Sequence, residues 1–235
     1  MLNKDFTIVI ADDHPMLLNG LYDALVSNEY NVIGKAQNGT EALQLILELK
    51  PTLAILDIEM PFKTGFEVIK DIKEKNIPTK FIIQTLHKNL EYITLALSLK
   101  IEGYLLKEDP FTAIETCMEK VLNNESYFSD SIDSNGLLNA TNEFRNLKLL
   151  TPSELVILKL ISKQASTNVI AESLFVSKRT IEKHRSNIID KLGLGGAEQN
   201  SLDWQGYWQQ KYANFNAYDA PLGGDLNTVK DANEI

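Results

Sequence analysis

Apolar residues follow two alternating patterns in the first half of this chain. Short unbroken apolar runs, rich in β-branched residues, predict strands that are buried on both faces, as in a parallel sheet covered by helices. Stretches with apolar residues three or four positions apart predict helices that pack on such a sheet. The patterns alternate from residue 7 to about residue 123, which predicts an α/β fold with a doubly wound, five-stranded parallel sheet and right-handed crossovers. The strand stretches are residues 7–13, 31–36, 53–57, 80–85 and 101–107, and the helices are residues 15–27, 40–49, 66–75, 90–99 and 110–123.

A segment of different composition follows. Residues 126–149 are rich in Ser, Asn and Asp, so we predict a linker that is at most partly ordered. Tyr127 and Phe128 are expected to dock the start of this linker onto one of the domains. The predicted division of the chain is residues 1–125, the linker 126–149, a second domain at 150–194 and a tail at 195–235.

Three short helices are predicted in the second domain. A capping box of Thr151 and Glu154 marks the start of the first. Ser166–Thr167 and Val176–Ser177 precede the other two helices, the last of which spans residues 178–191. Short helices joined by tight turns predict an all-α helix-turn-helix domain.

The third of these helices has two different faces. Its apolar face carries Ile181, Ile188 and Leu192, with the stem of Arg185 beside them. Its polar face carries Arg179, Lys183 and Ser186, with Glu182 nearby. Such a polar face can enter a DNA major groove, although charge alone favours a solvated basic surface.

Charge supports a nucleic-acid partner for the second domain. The whole chain has a formal net charge of −9, yet residues 151–194 carry 7 Lys and Arg against 4 Asp and Glu. One basic segment in an acidic protein indicates a surface that faces a polyanion. No apolar run reaches about 18 residues and no secretory signal opens the chain, so we expect a cytoplasmic protein without a membrane span. The single Cys117 lies at core-like spacing with Ile114 and Val121, which predicts a buried structural thiol.

Polar side chains follow the ends of four predicted strands. Asp12 and Asp13 end the first stretch, Asp57 the third, Thr85 the fourth and Lys107 the fifth. In a parallel sheet these ends meet at one edge, where ligands bind. Adjacent carboxylates there are costly unless a cation joins them, and Mg²⁺ is the hard, oxygen-binding ion that suits them. The alternative for Asp13 is that it caps the helix that follows.

Together these groups fit phosphoryl transfer to Asp57. A metal held by Asp13 and Asp57 would neutralise phosphoryl oxygens. Lys107 would pair with another oxygen and Thr85 would donate a hydrogen bond. A phosphatase-type enzyme with an Asp nucleophile is the alternative, but such enzymes carry their two Asp residues two positions apart on the first strand. Here the first two Asp residues are adjacent and the candidate nucleophile is on the third strand.

Residues 6 to about 125 resemble the receiver domain of bacterial two-component response regulators. The matching motifs are Asp12-Asp13, Leu56-Asp57-Ile58-Glu59-Met60-Pro61 with Gly65 downstream, Thr85, and Tyr104-Leu105-Leu106-Lys107. The resemblance implies that Asp57 accepts phosphate from a phosphohistidine on a cognate histidine kinase, and that the chain is no enzyme beyond its own phosphorylation and dephosphorylation. It also implies that the main-chain carbonyl of Glu59 completes the Mg²⁺ shell of the three Asp residues.

The receiver resemblance also implies a switch. Phosphoryl on Asp57 would pull Thr85 and turn Tyr104 inward, and a homodimer or a released DNA-binding unit would follow. Glu59 and His87 flank the phosphoryl site in the pattern of the family, so they are expected to tune self-dephosphorylation.

The second domain resembles the LuxR-type helix-turn-helix, which with the receiver makes a NarL/LuxR-type response regulator. The matching segments are Leu150-Thr151-Pro152-Ser153-Glu154, Ile170-Ala171, Val176-Ser177, residues 180–188 and Lys191-Leu192-Gly193. This implies double-stranded DNA as a partner. It puts Glu182, Lys183 and Ser186 at base-facing positions and Lys178, Arg179, Thr180 and Arg185 near phosphates. His184 is expected to be structural.

The chain departs from this family in two places. Gln164 stands where the family usually has Gly, so the turn there is expected to differ slightly. After Gly193 the family usually has a helix with an apolar dimer face, whereas the tail carries aromatic residues near helical spacing and then a stretch from Pro221 expected to be disordered. The aromatic residues are Trp204, Tyr207, Trp208, Tyr212 and Phe215.

Two interpretations of the tail stay open. An aromatic helix replaces the dimer helix, or the tail is an appended sequence foreign to the domain. If the tail does not dimerise, the alternative function is a phospho-dependent protein-binding module with impaired DNA binding. The sequence names neither the kinase nor the target DNA.

Overall fold

A computed structural model describes residues 6–132, 134–163 and 165–193 of the chain. The chain divides into two compact units, Met1–Leu137 and Leu138–Ile235, and this division falls within the segment predicted as a linker. Gln164 and the tail of residues 195–235 lie outside the described residues. The altered turn and the two interpretations of the tail therefore stay predictions.

The first unit is built on a single parallel sheet. Its strands are β1 Thr7–Ala11, β2 Asn31–Ala36, β3 Leu53–Leu56, β4 Lys80–Thr85, β5 Gly103–Leu106 and β6 Tyr127–Phe128, in the spatial order β2-β1-β3-β4-β5-β6. All the pairings are parallel, so the carboxyl ends of the strands share one edge as predicted. The sheet has one strand more than the five predicted.

The additional strand extends the sheet beyond β5. The amide of Tyr127 donates to the carbonyl of Glu102 at 2.9 Å, and the amide of Ser129 donates to the carbonyl of Tyr104 at 2.8 Å. The rings of Tyr104 and Phe128 stack with centroids 6.0 Å apart. Two residues are too few to show a strand pattern, but the prediction that Tyr127 and Phe128 dock the start of the segment is confirmed.

Five helices cover the sheet. They are α1 Pro15–Ser27, α2 Gly39–Leu49, α3 Gly65–Glu74, α4 Leu90–Ser98 and α5 Phe111–Leu122, close to the predicted bounds. The residue that caps α1 is His14, in extended conformation, so the interpretation of Asp13 as the cap is wrong. The amide of His14 donates to Asp12 Oδ1 at 2.8 Å.

The core of the first unit forms where helices pack on the apolar strands. Ile8, Ile10 and Ile82 are fully buried among side chains of α1 and α5. Cys117 on α5 belongs to this cluster, and burial raises the pKa of its thiol to about 12. The prediction of a buried structural thiol is confirmed.

The second unit is helical. Its helices are α6 Ser134–Leu147, which crosses the division between the units, α7 Pro152–Ser162, α8 Thr167–Ser173 and α9 Lys178–Leu192. The predicted capping residues Thr151, Ser166 and Ser177 each accept a hydrogen bond from the first turn of α7, α8 and α9, respectively. Within the described ranges, no helix is both long and apolar enough to cross a membrane.

Helix α6 differs from the predicted linker. Its polar composition gives no sign that Leu147 anchors it, yet Leu147 packs into the same buried cluster as Leu150, Ile157 and Leu158. The side-chain amide of Asn146 also reaches the carbonyl of Leu192 at the end of α9. Burial of an apolar side chain against other helices stabilises a helix that local composition does not favour.

Candidate functional site

The predicted acidic residues meet at the carboxyl edge of the sheet. Strands β1 and β3 are neighbours, and Ala11 lies opposite Leu56, so the residues that follow them leave the sheet side by side. The amide of Asp57 donates to the carbonyl of Ala11 at 2.9 Å. One ligand atom from each of Asp12, Asp13, His14 and Asp57 can be chosen so that all lie within 4.8 Å of one another.

Lys107 joins two of these carboxylates. Its Nζ lies 2.7 Å from Asp57 Oδ2 and 2.7 Å from Asp12 Oδ2. Burial raises the pKa of the Asp57 carboxyl, and the hydrogen bond from Lys107 offsets this only in part. Burial alone would lower the pKa of Lys107, but the hydrogen bonds to Asp12 and Asp57 outweigh it and raise that pKa, so the ammonium group stays charged.

The edge retains capacity for a divalent cation. Asp13 Oδ1 is buried and accepts no hydrogen bond from any described residue, although His14 Nδ1 approaches it to 2.7 Å. Three carboxylates that face one ammonium group leave excess negative charge, and oxygen donors of this kind suit Mg²⁺ or Ca²⁺. The pocket of Asp12, Asp13 and Asp57 is thus consistent with a divalent-metal site.

The position of Asp57 depends on close backbone packing. The amide of Ile58 donates to Asp57 Oδ1 at 2.7 Å, and the amide of Gly65 donates to the carbonyl of Ile58 at 2.9 Å. A Cβ atom at Gly65 would collide with the main-chain oxygen of Asp57. The absence of a side chain at Gly65 therefore lets α3 begin directly beside the loop that holds Asp57.

The predicted switch residues lie on the next two strands. Thr85 is fully buried at the end of β4, and its carbonyl accepts a hydrogen bond of 2.8 Å from the amide of Lys107. Thr85 Oγ1 accepts from the amide of His87 at 3.3 Å. Tyr104 is also fully buried, which means that its ring points inward, and its hydroxyl donates to the carbonyl of His87 at 2.8 Å.

Glu59 and His87 contact each other at the mouth of the site. His87 Nε2 lies 3.0 Å from Glu59 Oε1, and the hydroxyl of Tyr92 donates to the same oxygen at 3.3 Å. The rings of His87 and Tyr92 stack with centroids 4.4 Å apart. Sequence reasoning missed Tyr92, because its place in the first turn of α4 gives no sign that it reaches across to the loop after β3.

The second unit presents the predicted polar face of α9. Ile181, Ile188 and Leu192 are buried. The candidates Lys178, Arg179, Glu182, Lys183 and Ser186 are all exposed.

The two other DNA-binding candidates on α9, Thr180 and Arg185, make contacts within the second unit. The hydroxyl of Thr180 lies 2.7 Å from that of Ser177 at the N-cap. Arg185 is half-buried, and its guanidinium donates to Thr167 Oγ1 at 2.9 Å, which ties α9 to α8. Burial lowers the pKa of Arg185. His184 lines an apolar pocket with Ile157 and Val176, as expected for a structural residue.

Comparisons with known proteins agree with both units. Residues 8–119 match the family model of the response regulator receiver domain, and residues 148–199 match that of the bacterial regulatory proteins of the luxR family. The oxygen regulatory protein NreC of Staphylococcus aureus is 34% identical over 197 residues, which cover 80% of this chain and 91% of NreC.

Solved structures give the same result. RcsB from Salmonella enterica serovar Typhimurium, bound to promoter P1flhDC in the presence of the phosphomimetic BeF3-, is 26% identical with a TM-score of 0.60, covering 82% of this chain and 94% of that one. The signal receiver domain of NarL from Mycobacterium tuberculosis is 30% identical with a TM-score of 0.50, covering 52% of this chain and 99% of that one.

A receiver with an acidic edge followed by a helix-turn-helix defines a class of two-domain regulators. This chain belongs to the two-component response regulators, with a receiver domain and a LuxR-type DNA-binding domain. Response regulators are not, in general, enzymes beyond the phosphorylation chemistry of their own Asp residue.

Proposed function

We propose that Asp57 accepts a phosphoryl group from a phosphohistidine of a partner histidine kinase, and that phosphorylation controls DNA binding through α9. The observation that carries the proposal is the contact between Asp57 Oδ2 and Lys107 Nζ, 2.7 Å long, at an edge that also holds Asp12 and Asp13. A buried carboxylate beside a fixed ammonium group and spare carboxylate oxygens is the arrangement that in-line phosphoryl transfer requires.

The transfer follows from the position of each group. A carboxylate oxygen of Asp57 attacks phosphorus, an O–P bond forms, and the P–N bond of the phosphohistidine breaks as its imidazole takes up a proton. Lys107 moves its hydrogen bond from Asp57 to a phosphoryl oxygen, while Thr85 at the end of β4 donates to another. Mg²⁺ bound by Asp12, Asp13, Asp57 and the carbonyl of Glu59 would neutralise phosphoryl charge and favour the ionised form of Asp57.

The contact between Glu59 and His87 supports a role in the lifetime of the phosphoryl group. Loss of that group requires a water molecule to reach phosphorus at the mouth of the site. Glu59 and His87 meet there at 3.0 Å, and Tyr92 holds the pair by stacking and by a hydrogen bond. We propose that this cluster limits or orients the attacking water and so tunes self-dephosphorylation.

The switch has a physical path in the first unit. Movement of Thr85 towards a phosphoryl oxygen would shift the loop that holds the carbonyl of His87, which accepts the hydrogen bond of Tyr104. To reverse a two-state equilibrium of this kind completely, phosphorylation must favour one state over the other by about 5.5 kcal/mol. The inward Tyr104 seen here is the position that we assign to the active state, in which the protein forms a homodimer on DNA.

The exposed face of α9 supports the DNA-binding proposal. We assign Glu182, Lys183 and Ser186 to base contacts. We assign Lys178, Arg179, Thr180 and Arg185 to phosphate contacts. The hydrogen bond from Arg185 to Thr167 limits the reach of its guanidinium, so Arg185 contributes through the position of α9 and through charge. Double-stranded DNA, the kinase and a second copy of the chain are the partners, and we place the protein in the cytoplasm, where these partners meet.

The decisive experiment is the intact mass of the full chain after incubation with Mg²⁺ and acetyl phosphate, alongside Asp57→Asn. A gain of one phosphoryl group that disappears in the variant is expected. No gain, with a normal circular dichroism spectrum, would overturn the proposal for Asp57.

DNA binding needs a separate test. Lys183→Ala and Arg179→Ala are compared with Lys148→Ala, an exposed cation outside α9. Arg179→Ala should reduce the slope of log affinity against log salt by about 1, as expected for the loss of one phosphate contact. Lys183→Ala should relax sequence preference instead, and Lys148→Ala should change neither. If the affinity of the unmodified chain for DNA did not fall with rising salt, the assignment of α9 as the DNA-binding helix would be contradicted.

A further inference from the structure

We propose that Asp109 is a positioning residue for phosphoryl transfer to Asp57, and that it makes the position of Lys107 depend on residues 129–132, here called the strap. The strap follows β6 and leads to α6. This role rests on the proposed function in one respect, the use of Lys107 at the phosphoryl site. Asp109 acts through Lys107 rather than on the phosphoryl group itself.

Asp109 closes the loop that carries Lys107. Asp109 Oδ2 accepts a hydrogen bond of 2.8 Å from the amide of Leu106, and the amide of Asp109 donates to the carbonyl of Leu106 at 3.0 Å. These reciprocal bonds enclose Lys107, whose own amide donates to the carbonyl of Thr85 at 2.8 Å. The backbone of Lys107 is therefore held by both β4 and Asp109, and its side chain extends from a fixed point.

The other oxygen of the same carboxylate holds the strap. Asp109 Oδ1 accepts hydrogen bonds of 2.9 Å from the hydroxyls of Ser129 and Ser131, which lie 20 and 22 residues away in sequence. Ser129 Oγ in turn accepts from the amide of Ser131 at 3.1 Å, and the amide of Ile132 donates to the carbonyl of Ser129 at 3.0 Å. One carboxylate thus joins the loop after β5 to the turn after β6, and we call these bonds the junction.

Burial makes the junction costly to break. Ser129 is 3% exposed and Ile132 is 7% exposed, while Asp109 is half-buried. Hydrogen bonds to an ionised carboxylate are about twice as strong as those between neutral groups. A buried polar group that loses its partner also costs its desolvation. The strap and the loop should therefore be ordered together or loosened together.

The junction lies close in sequence to the cation that the reaction uses. Lys107 Nζ contacts Asp57 Oδ2 at 2.7 Å, and in the proposed transfer the same ammonium group shifts to a phosphoryl oxygen. A misplacement of about 1 Å in a group of this kind can reduce a rate about 100-fold. Coupling between two equilibria is reciprocal, so a phosphoryl group that draws Lys107 should also change the stability of the strap.

Glu108 provides a matched control for the charge of Asp109. Its carboxylate is exposed and pairs with Lys88 at 2.7 Å. Glu108→Gln removes one negative charge beside Lys107 but no bond of the junction, whereas Asp109→Asn removes one charge and one acceptor of the junction. Ser131→Ala removes a hydroxyl of the strap and leaves every charge in place, and Ser131→Thr restores that hydroxyl.

The first test is the rate at which acetyl phosphate and Mg²⁺ phosphorylate the full chain, followed by intact mass. We expect Asp109→Asn to slow phosphorylation at least about tenfold, because bonds to a charged group are lost. Ser131→Ala should slow it about two- to tenfold, the factor that one net hydrogen bond represents. Ser131→Thr and Glu108→Gln should keep the rate of the unmodified chain. Equal rates in Asp109→Asn and Glu108→Gln, or in Ser131→Ala and Ser131→Thr, would overturn the proposal.

Amide hydrogen exchange tests the coupling in both directions. In the unphosphorylated chain, the Leu106 amide should exchange faster in Ser131→Ala than in Ser131→Thr, because that amide bonds to the carboxylate that Ser131 holds. The phosphomimetic BeF3- should change the exchange of the Ser131 and Ile132 amides in the unmodified chain and should have less effect on them in Asp109→Asn. Exchange in the strap that does not respond to BeF3- would refute the coupling.

The outcomes distinguish the two proposals. A phosphoryl gain at the same rate in every variant would leave the function of Asp57 intact and refute the role of Asp109. If the unmodified chain gains no phosphoryl group, the proposed function fails and the positioning role fails with it. Faster exchange of Leu106 in Ser131→Ala would then retain only the coupling of the loop to the strap.

Discussion

The hydroxyl of Tyr104 donates a 2.8 Å hydrogen bond to the main-chain carbonyl of His87. This bond joins β5 to the loop after β4, and the ring of Tyr104 stacks on Phe128 of β6 on its other side. Burial raises the pKa of Tyr104, so its hydroxyl stays protonated and remains a hydrogen-bond donor. One buried side chain therefore contacts both the mouth of the phosphoryl site and the strand that precedes α6 in the chain.

Removing this hydroxyl should loosen the loop without disturbing the packing of the ring. We expect Tyr104→Phe to lower the free energy of unfolding by about 1 kcal/mol, the usual net contribution of one hydrogen bond. Amide hydrogen exchange of residues 86–88 should become faster. Tyr92→Phe removes a more exposed hydroxyl from Glu59 and should cost less in urea unfolding. Equal losses in the two variants would contradict the special role of Tyr104.

Lys107 neutralises two buried carboxylates, so its loss should be costly. Lys107→Met leaves Asp12 and Asp57 without their cation, and we expect a loss of about 3–5 kcal/mol in the free energy of unfolding. Added Mg²⁺ should recover part of this loss. Lys88→Met breaks an exposed pair with Glu108 and should cost about 0–1 kcal/mol. Thermal unfolding with and without Mg²⁺ measures both effects. An unchanged unfolding midpoint for Lys107→Met would refute the claim that Lys107 neutralises the two buried carboxylates.

Two glycines offer a matched comparison of space around the backbone. A Cβ at Gly65 collides with the carbonyl of Asp57, whereas a Cβ at Gly20 on α1 meets nothing within 4 Å. Gly65→Ala should destabilise the first unit by about 1–3 kcal/mol and slow phosphorylation, because Asp57 must move. Gly20→Ala should stabilise it by about 0.5–1 kcal/mol. Chemical unfolding measures the change in stability of each variant, and intact mass measures its phosphorylation. The two substitutions should change the free energy of unfolding in opposite directions, and a change of the same sign in both would contradict the comparison.

The second unit should lose stability in acid through Glu154. Burial opposes ionisation of this carboxyl, but hydrogen bonds from Lys191 and Thr151 outweigh burial and lower its pKa. Because the folded pKa is the lower one, the contribution is complete above the unfolded value of about 4.3 and disappears as the pH falls through the folded pKa.

The matching measurement is the unfolding free energy of the second unit between neutral pH and strong acid. Glu154→Gln keeps the shape of the side chain and removes its titration, so the variant should show a flatter profile below about pH 4.3. It should also be less stable at neutral pH, since the 2.6 Å contact with Lys191 loses its charge. A profile with the same slope as the unmodified chain would rule out Glu154 as the source.

Much of this protein follows from its sequence alone. The alternation of unbroken apolar runs with helical periodicity predicted each of the first five strands and five helices, because strands buried on both faces and helices packed on them need these patterns. The polar residues at four of the five predicted strand ends then predicted the acidic edge, since parallel strands bring their carboxyl ends together. Capping residues such as Thr151 and Ser177 predicted the helix starts in the second unit because their effect is local.

Tertiary structure alone decided the rest. Helix α6 and strand β6 exist because Leu147 and Phe128 pack against residues distant in sequence, and neither segment shows a strong pattern of its own. The approach of His87, after β4, to Glu59, after β3, depends on how loops from different strands turn. Local sequence determines elements because their hydrogen bonds and periodicity are short-range, whereas contacts between loops are determined only when the packed sheet brings those loops together.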